Sequence, residues 1–279
     1  MPLSNACITP HGDEIIPELA ARGTPRGFLI TREGMIRIAR EVKTTRPDTI
    51  VIATPHNLRL WRKIGVVISE NSSGTLQGSR GTKPSVHLKV KCDQEFARKL
   101  MDRTAKRGLP VVGANYGSFD GPLSDLPMDW GTLVPLWFLA RGRSDRPRVV
   151  IVTPSREIPL LQNYEFGRAI ADLAERRPKR CVFVASADQA HTHKKSGPYG
   201  FSRAAAEYDR FVVDAIRRNR IRSIMNLSGK FVDAARPDSL WQMTMLAGVL
   251  SRVAMDAELF SYQVPTYFGM ICAGFHRTK

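Results

Sequence analysis

Along this chain, five- and six-residue apolar runs alternate with longer amphipathic stretches. Thr49-Ile50-Val51-Ile52-Ala53, Arg148-Val149-Val150-Ile151-Val152 and Cys181-Val182-Phe183-Val184-Ala185 are β-branched and too short for helices. They read as strands buried on both faces. Ala6-Cys7-Ile8-Thr9 is a shorter strand of the same kind. Between them lie helical patterns. Thr31 to Lys43 carries Met35, Ile38, Ala39 and Val42 on one stripe, and Asp93 caps a helix bearing Phe96, Ala97, Leu100 and Met101 that Gly108 ends. Further helices are expected at about 160–176 and 202–218, and another from near Asp238. Strands alternating with helices specify an α/β architecture. The expectation is a single domain over residues 1–279, with a central mixed, largely parallel sheet flanked by helices and its active site at the C-terminal ends of the strands. Val112–Pro135, rich in Gly and Pro, is expected to be a long irregular loop, and Ile64–Pro84 a strand followed by a loop.

The bulk properties exclude several classes of function. Hydrophobic residues make up 43% of the 279, enough to fill one large core, which argues against disorder. No apolar run approaches the roughly 20 residues that span a bilayer, and the first residues lack the basic and apolar regions of a secretory signal. A cytoplasmic protein without membrane association is expected. Cys7, Cys92, Cys181 and Cys272 are scattered singly, with no paired spacing for zinc, and read as reduced structural thiols. The 42 Lys+Arg against 26 Asp+Glu give a net charge of +16. The basic runs at 176–180 and 217–222 follow helices, whose C-termini favour cations. They lack the interleaved aromatic residues of a nucleic-acid stacking surface, so nucleic acid is not the expected partner.

A recurring strand ending carries more information. The first strand ends in Thr9-Pro10-His11, the next in Thr54-Pro55-His56 and a third in Thr153-Pro154-Ser155; a fourth runs into Ser186-Ala187-Asp188-Gln189-Ala190-His191. Proline cannot donate to a ladder, so each strand stops there and hands the next side chain to a loop. Ligands of α/β sheets collect beyond the strands' carboxyl ends. Three of the six histidines therefore converge on one edge. Two imidazoles and a carboxylate form the usual facial set for non-haem Fe(II), with His11 and His56 as the nitrogens. The carboxylate is open: Asp13 and Glu14 lie close to His11, and Asp238 on spacing alone reads as a helix N-cap. His191, with His193 two residues on, can act as an acid/base near neutral pH. His87 reads as structural and His276 as solvated.

Several segments in order make the chain similar to the class III extradiol ring-cleavage dioxygenases of the LigB-type catalytic subunit. They are Thr9-Pro10-His11-Gly12 with Ile16-Pro17-Glu18-Leu19, Ala53-Thr54-Pro55-His56, Asp129-Trp130-Gly131-Thr132-Leu133-Val134-Pro135-Leu136, Ser186 to His191, Gly197-Pro198-Tyr199-Gly200-Phe201, and Tyr262-Gln263-Val264-Pro265-Thr266-Tyr267-Phe268-Gly269. The resemblance implies Fe(II) held by His11, His56 and Asp238, with His191 as the catalytic acid/base. Asp238 stands where the family usually has Glu, one methylene longer. Trp130 stands where the family commonly has histidine; it offers no base but can wall an aromatic substrate. Tyr199 is the second expected substrate contact.

The implied reaction opens a catechol-type or o-aminophenol-type ring with both atoms of O2, so the implied partners are a small aromatic substrate and O2. The protein is expected to act as a homo-oligomer or with a small partner subunit. Two rival readings remain: a zinc-dependent hydrolase using the same three ligands, and a non-catalytic Memo-like binding protein of the same fold.

Overall fold

The computed structural model describes residues 2–78, 84–141 and 147–278. In chain order the elements are β1 (Leu3–Thr9), α1 (Arg26–Thr45), β2 (Thr49–Ala53), β3 (Ile64–Val67), β4 (Asn71–Gln77), β5 (Ser85–Lys91), α2 (Gln94–Ala105), β6 (Val111–Ala114), β7 (Asp125–Pro127), α3 (Trp130–Ala140), β8 (Arg148–Thr153), α4 (Leu160–Ala174), β9 (Cys181–Ser186), α5 (Arg203–Arg217), α6 (Gly229–Ala235), α7 (Leu240–Leu250), β10 (Met255–Gln263) and β11 (Met270–Arg277). Eight strands form one mixed sheet in the order β10-β11-β1-β9-β2-β8-β3-β6, and β5-β4-β7 form a second. The four strands anticipated from their apolar runs are the central β1, β9, β2 and β8, mutually parallel. β11 and β3 run antiparallel against the two outer members of that group.

Period-2 alternation in the central strands feeds two cores. Ile8, Val51, Ala53, Val150, Val152, Phe183 and Ala185 face one side, packed with residues of α2, α4, α5 and α7. Cys7, Ile50, Ile52, Val149, Ile151, Val182 and Val184 face the other, against α1, α3 and the three-stranded sheet. Strands covered on both faces must be apolar at every position, and β2 and β9 are buried throughout. The contact between α4 and α7 is the close one on the first face: Gly167 and Gly248 lie directly against backbone of the opposing helix, where a Cβ would collide.

The helix signals hold well. Asp93 caps α2 by accepting from the Phe96 N–H at 3.0 Å, and Gly108 takes a positive φ just beyond it. Residues 112–135 differ from the expected loop. Most of β6, all of β7 and the first turns of α3 fall in this stretch, α3 being capped by Asp129, whose carboxylate accepts from the Thr132 N–H at 2.7 Å. Pro135 sits in the sixth position of this helix, and such a residue normally argues against helix because it has no N–H for the i−4 carbonyl. Burial of Leu133, Val134, Pro135 and Leu136 in the second core overrides that signal. Residues 71–77, expected as loop, form β4, paired in a hairpin with β5 on one side and with β7 on the other, where the Ser72 hydroxyl donates to the Leu126 carbonyl. Residues 79–83 of that expectation lie outside the described residues.

His87 on β5 bonds the Thr75 hydroxyl at 3.0 Å. His276, expected to be solvated, is partly exposed on β11 and lies beside Asn5 and Glu41. All four cysteines are free and buried. Within the basic run at 176–180, Arg177 bonds Asp93 and Arg180 bonds Asp48. Among the described residues no helix is long and apolar enough to cross a membrane.

Candidate functional site

Registry brings the strand ends level. Thr9 pairs with Ser186, Ala53 with Ala185 and Val152. The residues just past β1 and β2 therefore leave the sheet at one level, on either side of β9, carrying His11 and His56. The His11 and His56 Nε2 atoms lie 3.3 Å apart, and Asp238 Oδ2 is 3.3 Å from the first and 3.1 Å from the second. Asp238 precedes α7 by two residues, and its carboxylate does not cap that helix. The N-cap reading fails because the chain there faces the strand ends, and placement ahead of the helix lets the shorter Asp side chain reach the histidines.

The three donors fit a cation. Nitrogen and oxygen ligands at about 2.1 Å, held about 90° apart, are separated by about 3.0 Å, close to the observed spacings. His11 Nδ1 lies 3.0 Å from the Ser186 hydroxyl, and that hydroxyl donates to the Gly131 carbonyl. Its oxygen must then accept from the Nδ1–H of His11, which leaves the lone pair on Nε2 facing the cluster. Asp238 Oδ1 is buried with no hydrogen-bond partner, as expected of an oxygen that a cation would satisfy. His11, His56 and Asp238 could together hold a metal ion.

Electrostatics agree. Burial opposes charge at His11, but Asp188 and Asp238 outweigh it and raise its pKa to about 9. Burial also opposes ionisation of Asp238, yet His11 and His56 hold its carboxyl far below the ordinary range. Without a cation the cluster thus gathers a proton onto His11. Asp188 flanks the site: its Oδ1 accepts from the His11 N–H at 3.1 Å, and burial pushes its own pKa up to about 6 against the pull of His11.

The chain around Gly131 is pressed close. A Cβ there would lie 2.7 Å from Thr54 Oγ1 and 3.2 Å from His56 Cδ2. The carbonyl of Gly131 is the i−4 partner that Pro135 cannot serve, so it is free for Ser186. A proline in α3 and a serine ending β9 thereby jointly set the tautomer of His11.

His191 donates its Nδ1–H to the Gln189 carbonyl at 2.7 Å. Its Nε2 therefore carries the lone pair and lies 4.0 Å from Asp238 Oδ2. Phe268 stacks on the ring at 5.3 Å. His193, two residues on, turns away and bonds the fully buried Asp209 at 2.8 Å. Trp130 lies over His56, with ring centroids 4.4 Å apart, and Tyr199 presents its edge to His191 at 5.9 Å. The structure thus gathers His11, His56, Asp238, His191, Trp130 and Tyr199 at one cavity. Two lobes meet at His56, His191, Tyr199 and Asp238: one of about 510 Å3 on the Trp130 and Phe268 side, another of about 780 Å3 toward α6 and α7.

Sequence reasoning passed over Ser186 and Asp188 as partners of His11, although both lie in the strand ending it singled out. It also missed Gln242, whose amide donates to the Ser186 carbonyl at 3.0 Å, and Phe268. Neither carried a local signal.

Comparison with known proteins places the chain. A curated relative, Protein CA_C1420 of Clostridium acetobutylicum, is 24% identical over 263 residues, which is 94% of this chain and 55% of that protein. The chain thus spans about half that relative's length. The crystal structure of the uncharacterized protein JW3007 from Escherichia coli K12 superposes with a TM-score of 0.63 at 16% identity, covering 97% of this chain and 99% of that one. That likeness establishes the fold. Residues 5–275 match the family described as the catalytic LigB subunit of aromatic ring-opening dioxygenase. The match runs from within β1 to within β11 and includes His11, His56 and Asp238, and the chain belongs to the LigB family.

Proposed function

We propose that this chain is an extradiol dioxygenase that opens a catechol-type or o-aminophenol-type ring, with Fe(II) held by His11, His56 and Asp238. The observation that carries the reading is the meeting of three donor atoms from three separate parts of the chain at 3.1–3.3 Å. Bound there, Fe(II) supplies a path for electron density from the ring to O2.

The remaining work falls to the protein. The Nε2 lone pair of His191 faces the cluster, so His191 accepts a proton from the substrate's ring hydroxyl or amine as it binds, and returns it during ring opening. The Gln189 carbonyl holds its tautomer through this exchange. Trp130 and Tyr199 flank the cavity and orient a planar ring, and Phe268 shields His191 from water.

Metal content after anaerobic purification, followed by oxygen uptake with a panel of catechols and aminophenols, tests the reading. Near-stoichiometric iron, oxygen consumption and a ring-opened product are expected. His11→Ala and His56→Ala each lose the iron; His191→Ala keeps it and loses turnover. Normal iron in either ligand variant refutes the assignment, and an unchanged rate in His191→Ala removes that residue's role. Zinc with hydrolytic activity would favour the hydrolase, and no metal uptake on reconstitution would favour a binding protein.

A further inference from the structure

One buried carboxylate takes no part in the cluster. Asp209 lies midway along α5 and is fully buried, a position where an ionised side chain is tolerated only when its oxygens are well bonded. Three donors meet it. The Ala190 N–H bonds Oδ1 at 2.9 Å, while the Tyr262 hydroxyl at 2.9 Å and His193 Nε2 at 2.8 Å bond Oδ2. An ionised carboxylate offers those groups only lone pairs, so His193 carries a proton on Nε2. Burial and the Asp209 charge both push the Tyr262 hydroxyl well above its ordinary pKa, so it too remains a donor. At Gly269 a Cβ would collide with the same carboxylate.

Through Oδ1 the carboxylate reaches His191. The N–H of Ala190 and the carbonyl of Gln189 belong to one peptide group, and that carbonyl accepts the Nδ1–H of His191 at 2.7 Å. In a trans peptide the N–H and the carbonyl point to opposite sides. The order is thus Asp209 carboxylate, Ala190 N–H, Gln189 carbonyl and His191 Nδ1–H, with the His191 Nε2 lone pair at the far end, 4.0 Å from Asp238 Oδ2. Negative charge at one end strengthens each successive bond, because hydrogen bonds in a chain polarise one another, most of all where water is excluded. Backbone bonds on either side fix this peptide's orientation. The Gln189 N–H donates to the Gly269 carbonyl at 2.7 Å, the Gly269 N–H to the Ala190 carbonyl at 3.1 Å, and the His191 N–H to the Ala235 carbonyl at 3.0 Å.

We propose that Asp209 is a positioning residue for His191, acting through the Gln189–Ala190 peptide: its charge holds the Nδ1–H tautomer and strengthens Nε2 as a proton acceptor. His193 serves this relay by holding the carboxylate in place. The effect on catalysis rests on the proposed ring-opening function; the relay itself does not.

The test combines nitrogen NMR of histidine-labelled, metal-free protein with steady-state kinetics of the iron-loaded enzyme. The His191 resonances are identified by their loss in His191→Gln. On the neutral ring, the unaltered protein should show the Nδ1–H tautomer alone. Asp209→Asn keeps the shape and removes the charge, so the Nδ1–H signal should move upfield and the Nε2–H tautomer should appear. Tyr262→Phe keeps the charge and removes a competing donor, so the same signal should move downfield. In turnover, Asp209→Asn should lose about tenfold in kcat with KM changed less than about twofold, as expected of an interaction that strengthens in the transition state. Asp93→Ala, which breaks a bond to the first residue of β2 at the opposite end of the strands, should lose stability without losing kcat. His191 signals that are unchanged in Asp209→Asn, or that move the same way in both variants, overturn the relay, and an unchanged kcat in Asp209→Asn overturns its catalytic effect. Opposed shifts in a protein that opens no ring uphold the relay and refute the dioxygenase reading. Ring opening by a protein whose His191 is indifferent to Asp209 does the reverse.

Discussion

Removing the hydroxyl of Ser186 tests how the cluster is aimed. In Ser186→Ala the Nδ1–H of His11 loses its acceptor and the Gly131 carbonyl its donor, both in buried surroundings. Each unpaired group costs about 1–3 kcal/mol, so the metal-free protein should lose about 3 kcal/mol. With an unfolding entropy of about 2.1 cal/mol/K per residue, a chain of this length melts about 5 °C lower for that loss. The imidazole, no longer held to one tautomer and one ring orientation, should bind metal about 10–100-fold more weakly, the usual effect of deleting such a partner. Competition against a chelator of known affinity measures the second effect, and thermal unfolding of metal-free protein the first. The double variant Ser186→Ala/Pro135→Ala separates them. It restores an N–H beneath the Gly131 carbonyl and should regain part of the stability without regaining metal affinity. An unchanged metal affinity in Ser186→Ala, or its full recovery in the double variant, refutes this account of His11.

Two further outcomes are expected. Asp93 accepts from the Thr49 hydroxyl, the Phe96 N–H and Arg177, and these outweigh its burial to hold its pKa below the ordinary value. Its contribution is complete above the unfolded carboxyl pKa of about 3.9 and is lost as pH falls through the lower folded value. Asp93→Ala should therefore be less stable by about 3 kcal/mol at pH 7, with the gap closing below about pH 4 in denaturant titrations; a gap constant with pH contradicts the ion pair. Burial raises the thiols of Cys92, Cys181 and Cys272 to about 12 and that of Cys7 higher still. Iodoacetamide at pH 8 should thus label none of them until the chain unfolds, and one rapidly labelled thiol in the native protein would show the burial to be wrong.

What the sequence displays follows from the range of the interactions. β2, β8 and β9 are legible because strands covered on both faces must be apolar throughout, and α2 because Asp93 and Gly108 are local punctuation. His11 and His56 are legible because prolines announce where their strands stop. Asp238 is not, since 227 residues separate it from His11 and its own neighbours describe only the start of a helix. Helix α3 is hidden by Pro135, a local signal overruled by burial.

The position of β1 has a consequence for how the chain assembles. This strand lies inside the sheet, between β9 and β11, so both its neighbours are made long after it. Throughout most of synthesis Leu3–Thr9 therefore emerges with two unpaired edges and an apolar surface, the combination that invites mispairing or chaperone capture. Contacts of such separation also slow folding, because a long loop must close before they form. His11 stands two residues beyond that strand, and so the cluster of His11, His56 and Asp238 is completed late. A chain halted before β9 holds His11 and His56 but neither Asp238 nor the strand that brings their ends level.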